Sequence, residues 1–257
     1  MITSGGSGLC RWPMIPDPTQ PGGFRLGPAQ TLNANPLGRA CLSRDGRLLA
    51  VGDQQGHALI YDLDKAAAPV VCGIHPSLIS VAFSPDNRWL ANGAWQGRSV
   101  IIWDARSGKR LHALPVAAGA QVEFSPDGRL LVTATDEEIC LWNTKNWEPG
   151  LRFRRERSGP VAFSPRGDML AIAHSLSKIR LLHPDSGQEY ATLETPYPLG
   201  MSGLHFSQDG SQLAVATDYM TQLWDLRRLR QELSTVNLDW NQVAFPRPRM
   251  ECRPCLK

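Results

Sequence analysis

The chain has 257 residues, 42% of them hydrophobic and 20% charged, with a formal net charge of +3. This composition excludes a disordered chain, which is more polar and more charged, and a membrane protein, which is more apolar. The 23 glycines, 20 prolines and 8 tryptophans favour many short strands joined by tight turns over a helical bundle.

The sequence carries no targeting or membrane signal that we can identify. No run approaches the roughly 18 apolar residues needed to cross a bilayer, and residues 1–8 are rich in Gly and Ser rather than basic and then apolar. We therefore predict a cytoplasmic protein with no membrane segment. Most of the cysteines lie in apolar runs, where a reduced thiol packs as a small hydrophobe; these are Cys10, Cys41, Cys72 and Cys140.

One phrase recurs along the chain with a period of about 41 residues. Its clear copies are Val-Ala-Phe-Ser-Pro-Asp-Asn at 81–87, Val-Glu-Phe-Ser-Pro-Asp-Gly at 122–128, Val-Ala-Phe-Ser-Pro-Arg-Gly at 161–167 and Leu-His-Phe-Ser-Gln-Asp-Gly at 204–210. A weaker copy, Cys-Leu-Ser-Arg-Asp-Gly, occupies 41–46. This period is typical of the four-stranded blades of a β-propeller.

Each copy predicts a strand, a tight turn and a second strand. Proline presets φ at the second position of the turn, and Gly or Asn accepts the positive φ that follows. Third strands are predicted at 58–62, 100–104, 139–143, 179–183 and 222–225, and looser fourth strands at 69–74, 110–115, 150–154 and 189–194. The sequence therefore predicts an all-β fold.

The Phe-Ser-Pro-Asp-Gly phrases and the Trp-Asp pairs at 103–104 and 224–225 resemble the WD-repeat family of β-propellers. The resemblance implies about six blades. It also implies repeat positions with a structural role at Trp12, Tyr61, Trp103, Asp104, Asp136, Trp142, Asp218, Trp224 and Asp225.

Blades of this family often contain a buried Asp-His-Ser-Trp hydrogen-bond network, which this sequence keeps only in part. Asp136 and Asp218 stand where the family's aspartate falls, six residues before Trp142 and Trp224, but His75 is the one matching histidine. We therefore expect apolar packing to supply most of the cohesion.

The two ends of the repeat region are incomplete. Residues 1–12 align without gaps on 131–142, so the chain begins inside a second strand; a Pro/Gly-rich insertion at 13–23 then precedes a predicted outer strand at 24–32. Leucines at 226, 229 and 233 have helical spacing. We predict a propeller over 1–226 (partial blade 1–36; repeats at about 37–75, 76–116, 117–155, 156–195 and 200–226), a closing helix at 227–240 and a disordered tail at 241–257.

A propeller must close its ring or leave a sheet edge exposed. Either the incomplete blades complement each other in a six-bladed ring, or the chain is the C-terminal part of a longer propeller; we favour the second. The arrangement, including Leu-Asp-Trp at 238–240, resembles the C-terminal WD-repeat region of planctomycete-type bacterial serine/threonine protein kinases. This implies a bacterial, kinase-associated role in signalling, although the chain has no kinase signature. Open blade edges also predict dimerisation.

The sequence contains no complete motif for catalysis, cofactor binding or metal binding. The Gly-rich segment 5–8 lacks the Lys-Ser/Thr and the helix of a phosphate-binding loop, so we predict a hairpin turn. The single Cys-x-x-Cys at 252–255 has no second ligand pair for zinc, and the histidines have no metal-binding spacing. The recurrent serines are explained by their turns. We predict no catalytic, cofactor-binding or metal-binding residue, and no enzyme activity.

Arginines cluster at 152–157 and at 227–230. A nucleic-acid surface would need a larger positive charge than a pI of about 8.6 indicates. An arginine-rich composition accounts for the clusters, and we predict no nucleic-acid partner.

Surface recognition remains as the predicted function, because loops carry binding on repetitive scaffolds. Trp95 stands in a turn, where it either anchors a partner or packs back onto its own blade. The predicted partner-binding residues are His75, Trp95, Gln96, Arg98, Tyr219 and Met220. We predict a non-catalytic scaffold presenting a propeller face to a protein partner. The alternative is a propeller that binds a small ligand, or acts as a hydrolase, at its central channel.

Overall fold

The computed structural model describes residues 1–5, 8–20, 22–35, 40–65, 67–95, 97–157, 159–195, 197–240 and 245. The chain divides into two compact units, Met1–Ser158 and Gly159–Lys257. Two features singled out in the sequence, Gln96 and the Cys-x-x-Cys at 252–255, lie outside the described residues, as does the predicted tail apart from Phe245.

The first unit begins with a three-stranded sheet and a separate hairpin. Its strands are β1 (Ile2–Gly5), β2 (Gly8–Arg11), β3 (Met14–Pro16), β4 (Phe24–Leu26) and β5 (Gln30–Asn33). Sheet 1 has the order β1-β2-β5, and β3 pairs with β4. The predicted outer strand at 24–32 is therefore wrong at its start, because residues 24–26 pair with the insertion rather than with β2.

Three complete four-stranded antiparallel sheets follow in the first unit. Sheet 2 contains β6 (Ala40–Leu42), β7 (Leu48–Gly52), β8 (His57–Asp62) and β9 (Val70–Ile74). Sheet 3 contains β10 (Leu78–Phe83), β11 (Trp89–Ala94), β12 (Ser99–Asp104) and β13 (Arg110–Pro115). Sheet 4 contains β14 (Gln121–Phe124), β15 (Leu130–Ala134), β16 (Glu138–Asn143) and β17 (Glu148–Arg154).

The second unit has one complete sheet, one three-stranded sheet and a helix. Sheet 5 contains β18 (Val161–Phe163), β19 (Leu170–Ala173), β20 (Lys178–Leu182) and β21 (Glu189–Glu194). Sheet 6 contains β22 (Met201–Phe206), β23 (Gln212–Thr217) and β24 (Thr221–Asp225), followed at once by α1 (Leu226–Ser234). The helix is shorter than the predicted 227–240. Among the described residues, no helix is long and apolar enough to cross a membrane.

The helix begins immediately after β24 because Asp225 caps it. The Asp225 carboxylate accepts the backbone N–H of Arg228 at 3.0 Å, which satisfies a donor left free by the first helical turn. Leu226 is buried, and Leu229 and Leu233 pack on the same cluster, which also contains Trp240. The leucine spacing seen in the sequence is therefore that of a helix with one apolar face. This helix follows the third strand of sheet 6, at the point where the complete sheets have a fourth strand.

The repeated Ser-x-Asp phrase forms the same turn throughout. Ser125 Oγ donates to Asp127 Oδ1 at 2.6 Å and accepts the N–H of Leu130 at 2.9 Å. The glycine after the aspartate has the positive φ predicted for it, 74° at Gly128, and Asn87 takes its place with φ 60°. Equivalent serine–aspartate bonds join Ser43 to Asp45, Ser84 to Asp86 and Ser207 to Asp209.

These turns make the free energy of unfolding depend on pH. The hydrogen bond from Ser207, followed by the backbone bond from Ser211, lowers the pKa of Asp209 to about 2, and the bond from Ser43 lowers that of Asp45. Because each folded-state pKa lies below the unfolded one, the stabilisation is present above about pH 4 and is lost as the pH falls toward about 2. We expect the free energy of unfolding, measured by urea titration, to fall over that window.

The variant Asp209→Asn isolates one such turn. It should show a weaker pH dependence between pH 4 and pH 2 than the parent chain, while Asp218→Asn, in a loop without this turn, should follow the parent. Equal pH dependence in all three chains would contradict the proposed role of the turn carboxylates.

Apolar side chains from adjacent sheets form the core. In the first unit, Val100 and Ile102 of sheet 3 share a buried cluster with Phe124 and Leu131 of sheet 4. In the second unit, Leu181 of sheet 5 and Leu213 of sheet 6 share another. In each unit, these adjacent sheets therefore bury each other's apolar faces.

Candidate functional site

Trp95 lies in the loop between β11 and β12 with its side chain 63% exposed. Its backbone N–H donates to the carbonyl of Ser77 at 2.7 Å, which holds the start of the loop. The alternative in which this tryptophan packs back into its own blade is therefore wrong. Arg98 follows in the same loop and is also exposed. We call Trp95 and Arg98 the Trp95 surface.

The backbone beneath the Trp95 surface is closely packed at two glycines. A Cβ added to Gly119 would collide with the carbonyl oxygen of Trp95, and one added to Gly93 would collide with the carbonyl oxygen of Ala120. The segment that leads into β14 therefore passes directly against the end of β11 and the loop. An exposed indole is thus carried on backbone that has little room to move.

A groove lies beside the Trp95 surface. The carbonyl of Arg98 accepts the N–H of Val116 at 3.1 Å, and Val116 lines a cavity of about 570 Å³. The opposite wall of this cavity comes from sheet 4 and includes Thr133, Trp142, Glu138, Arg152, Arg154 and Arg155. The groove and the Trp95 surface are therefore neighbours along the segment 115–120.

Two of the three arginines that line the groove, Arg152 and Arg155, are already engaged in contacts. Arg152 pairs with Glu138 at 2.8 Å. Arg155 is buried, donates from Nε to the carbonyl of Thr135 at 2.6 Å, and has its pKa lowered by burial to about 10. In the other cluster, Arg227, Arg228 and Arg230 pair with Asp209, Glu232 and Asp239. Mixed charge of this kind is typical of the rim of a protein interface.

His75 is buried, so it does not belong to an exposed partner-binding surface. Its Nδ1 lies 3.0 Å from Asn92 Oδ1, and burial lowers the pKa of its imidazole. Gly97 stands six residues before Trp103, where the family's aspartate would fall, and a Cβ there would lie 2.8 Å from His75 Nε2. The structure therefore places His75 in the interior of the unit, beside Asn92.

Two threonines that the sequence analysis did not single out accept hydrogen bonds from repeat tryptophans in other sheets. Trp142 Nε1 donates to Thr133 Oγ1 at 2.9 Å, and Trp12 Nε1 donates to Thr3 Oγ1 at the same distance. The gap-free alignment of 1–12 on 131–142 carried the signal, since it places Thr3 on Thr133. The indole N–H groups of Trp103 and Trp224 have no hydrogen-bond partner among the described residues.

The remaining repeat positions serve turns and strands. Asp104 accepts the hydroxyl of Ser107 at 2.7 Å, and the Tyr61 hydroxyl accepts Asn33 Nδ2 at 2.9 Å. Asp136 and Asp218 are exposed in their loops. Within the described ranges, no group of three or more His, Cys, Asp or Glu side chains is arranged to hold a metal ion.

Tyr219 and Met220 form the tip of the β23–β24 hairpin in the second unit. Their side chains are 83% and 47% exposed, and Thr217 closes the tip by donating its N–H to the Met220 carbonyl at 2.9 Å. The structure therefore presents both residues to solvent, within their own unit.

Comparison with known proteins identifies the class. The model of the WD domain, G-beta repeat, matches residues 71–104 and 112–143. DNA damage-binding protein 2 of Bos taurus is 26% identical over 210 residues, covering 71% of this chain and 49% of that protein. THO complex subunit 3 of Arabidopsis thaliana is 24% identical over 205 residues, covering 76% and 65%. The chain thus spans about half to two thirds of the length of these relatives.

Solved structures agree on the fold. The β-propeller domain of Myceliophteria thermophila Cps50 (Swd1) superposes with a TM-score of 0.63 at 18% identity, covering 73% of this chain and 64% of that one. Hydrazine synthase of Kuenenia stuttgartiensis gives a TM-score of 0.60 at 20% identity, covering 69% and 54%. At these identities the likeness concerns the fold alone.

The four-stranded sheets and these structural neighbours define the chain as a β-propeller protein of about six blades. The repeat matches and the relatives support its place in the WD-repeat family. The link to planctomycete-type kinases, the bacterial origin and the cytoplasmic location stay predictions.

Proposed function

We propose that this chain is a non-catalytic scaffold that binds a protein partner, with the Trp95 surface as its main contact. The observation that carries the proposal is a tryptophan 63% exposed on closely packed backbone. Leaving an indole in water forfeits the free energy of burying a large apolar surface, and tryptophan is enriched among the residues that dominate binding energy at interfaces.

The surroundings of Trp95 suit a protein rather than a small ligand. The adjacent groove is open, mixed in charge and continuous with Arg98 through Val116. Such a surface offers an apolar anchor with a polar rim, which is the usual anatomy of a non-obligate interface. Tyr219 and Met220 supply a second exposed contact in the other unit. The kinase-associated role and a ligand in a central channel stay predictions.

Replacing Trp95 with alanine should weaken partner binding by at least tenfold, and the double variant with Tyr219→Ala should weaken it further. The substitution removes apolar contact area from the complex, which weakens binding. Because Trp95 is exposed in the free chain, the thermal unfolding midpoint should stay unchanged. The measurement is quantitative capture of the partner from the cell extract by the immobilised chain.

Tyr197→Ala is the matched control, because Tyr197 is also 63% exposed but lies outside the proposed contacts. We expect it to capture the partner as the parent chain does. Undiminished capture by the Trp95 variant, or an equal loss in the Tyr197 variant, would overturn the assignment of this surface.

A further inference from the structure

The groove beside the Trp95 surface has two different walls. Residues 115–117, with the sequence Pro-Val-Ala, form an apolar wall at the end of β13. The wall from sheet 4 contains Arg152, Arg154 and Arg155, which we call the arginine wall. The volume of about 570 Å³ lies within the range of ligand-binding clefts. The groove is therefore large enough to hold part of a partner molecule.

Strand alternation explains why these arginines face the groove. Arg152 and Arg154 of β17 lie opposite Cys140 and Glu138 of β16, and all four side chains line the groove. Because side chains two residues apart in a strand point to the same face, β17 presents both guanidinium groups to this side of sheet 4. The arginine wall is therefore built mainly on a strand and not on a loop.

Negative charge in the groove balances the arginine wall only in part. Glu138 bonds to Arg152 at 2.8 Å, so these two charges offset each other. Arg154 is exposed and has no ion pair within the described part of the chain. Glu137 is the other carboxylate of the lining, which thus holds three arginines against two glutamates. The exposed Arg98 next to the groove adds further positive charge.

Arg155 gives an independent indication that the groove is short of negative charge. Its side chain is buried, and its Nε donates to the carbonyl of Thr135, a neutral acceptor, at 2.6 Å. Burial lowers the pKa of its guanidinium to about 10, and the nearby Asp136 offsets this effect only in part. The charged form of a buried cation in this state is stabilised by an anion that enters the groove.

We propose that the groove binds an acidic segment of the partner protein, with a carboxylate paired to Arg154 near the buried Arg155 and an apolar side chain packed on residues 115–117. A guanidinium donates two parallel hydrogen bonds to a carboxylate, which makes such a pair directional as well as strong. This inference rests on the proposed scaffold function and specifies the chemistry of the partner.

The same partner reaches both the groove and the Trp95 surface. Val116 in the apolar wall donates its N–H to the carbonyl of Arg98 at 3.1 Å. A Cβ on Gly119 would collide with the carbonyl oxygen of Trp95. Segment 115–120 therefore joins the two features, and a partner that buries Trp95 has its neighbouring residues beside the groove.

An acidic protein segment fits the groove better than a nucleic acid. A strand of DNA or RNA carries a phosphate at every nucleotide, and Glu137 and Glu138 stand among the arginines. Trp142, the aromatic side chain of the lining, is buried and offers no face on which a base could stack. A peptide places its carboxylates opposite the arginines alone.

The last residues of the sequence have the wrong charge to occupy the groove. Residues 246–257 contain four basic side chains and one acidic one, namely Arg247, Arg249, Arg253 and Lys257 against Glu251. Placed in the groove, they would bring like charges to the arginine wall. The acidic occupant is therefore expected from another protein.

The probe is a fluorescent peptide with two copies of the sequence Asp-Leu-Glu between glycines. We expect saturable binding to the full chain by fluorescence anisotropy, with a dissociation constant below about 1 mM at low salt. Binding should weaken as salt is added, because salt screens exposed charge pairs. A control peptide with Asn-Leu-Gln in place of Asp-Leu-Glu keeps the leucines and should bind more weakly by about tenfold or more.

Removal of one charge from the chain then locates the site. Arg154→Gln should weaken peptide binding by about tenfold and should also reduce capture of the partner. The matched control is Arg110→Gln, which removes the same charge from an exposed arginine of β13 that does not line the groove. It should bind the peptide as the parent does. Both variants should keep the thermal unfolding midpoint of the parent, because both side chains are exposed.

Each of the following results would overturn the proposal: no peptide binding up to about 1 mM, equal binding of the amide control peptide, or binding that Arg154→Gln leaves unchanged. A thymidine oligonucleotide that displaces the peptide and binds more tightly would also overturn it, since the occupant would then be a nucleic acid. So would a concentration-dependent dimer of the chain that Arg154→Gln dissociates, since the occupant would then be a second copy.

The Trp95→Ala variant separates this inference from the proposed function. It should bind the acidic peptide normally even though it loses the partner, because the peptide contacts the groove alone. A chain that fails to bind the peptide but still requires Trp95 for capture would overturn this inference and leave the proposed function standing.

Discussion

Replacing Leu181 with alanine should lower the free energy of unfolding by about 3 kcal/mol, whereas Leu223→Ala should change it by less than about 0.5 kcal/mol. The two leucines hold the same position in the third strands of consecutive sheets. Leu181 is fully buried in the core of the second unit, while Leu223 is 63% exposed. Truncating the first leaves a cavity, and truncating the second leaves none.

Urea unfolding of the full chain, followed by tryptophan fluorescence, measures both variants. The comparison keeps the chemistry of the substitution constant and varies only burial, so the difference between the two variants carries the test. Similar losses of stability would mean that Leu223 is covered in solution, which would contradict its exposure on the face of sheet 6.

Gly93→Ala should cost at least about 3 kcal/mol, which is large for the addition of one methyl group. Its Cβ would overlap the carbonyl oxygen of Ala120, and this atom belongs to backbone rather than to a flexible side chain. Either β11 or the segment leading into β14 must move, which disturbs the packing between sheets 3 and 4. The Trp95 loop, held by the same segment through Gly119, should loosen as well.

Gly203→Ala is the control for that prediction. Gly203 also lies in a strand, but the nearest atom to an added Cβ is the Cβ of Ala216 at 3.5 Å, an ordinary contact. Its effect should stay within about 1 kcal/mol. Equal effects of the two substitutions on the urea midpoint would contradict the close approach at Gly93.

Local patterns predicted most of the sheets, because the turn chemistry is contained in a few adjacent residues. The fourth strands at 110–115 and 189–194 were predicted with the bounds that the structure has. The Ser-x-Asp turns form as expected, with positive φ at Gly128 and Asn87. Strand alternation and turn residues act over short distances, so the sequence alone contains this information.

The features that the sequence did not reveal depend on distant contacts. Residues 24–26 have strand character, but whether they pair with β2 or with 14–16 is decided by the fold of the whole insertion. His75 was predicted among the partner-binding residues, yet it lies in the interior beside Asn92. The exposure of Trp95 depends on the passage of Gly119 beside its backbone. None of these contacts has a local signature.

The central claim is that repeated four-stranded antiparallel sheets form the scaffold and that sheet 6 has three strands among the described residues. Hydrogen exchange of individual backbone amides, measured by NMR on the partner-free chain, tests it most directly. The account predicts slow exchange at Val100 and Ile102, which bond to β13, and fast exchange at Thr221 and Leu223, with Gln222 and Trp224 protected between and beside them. Slow exchange at Thr221 and Leu223 without a partner would contradict the account.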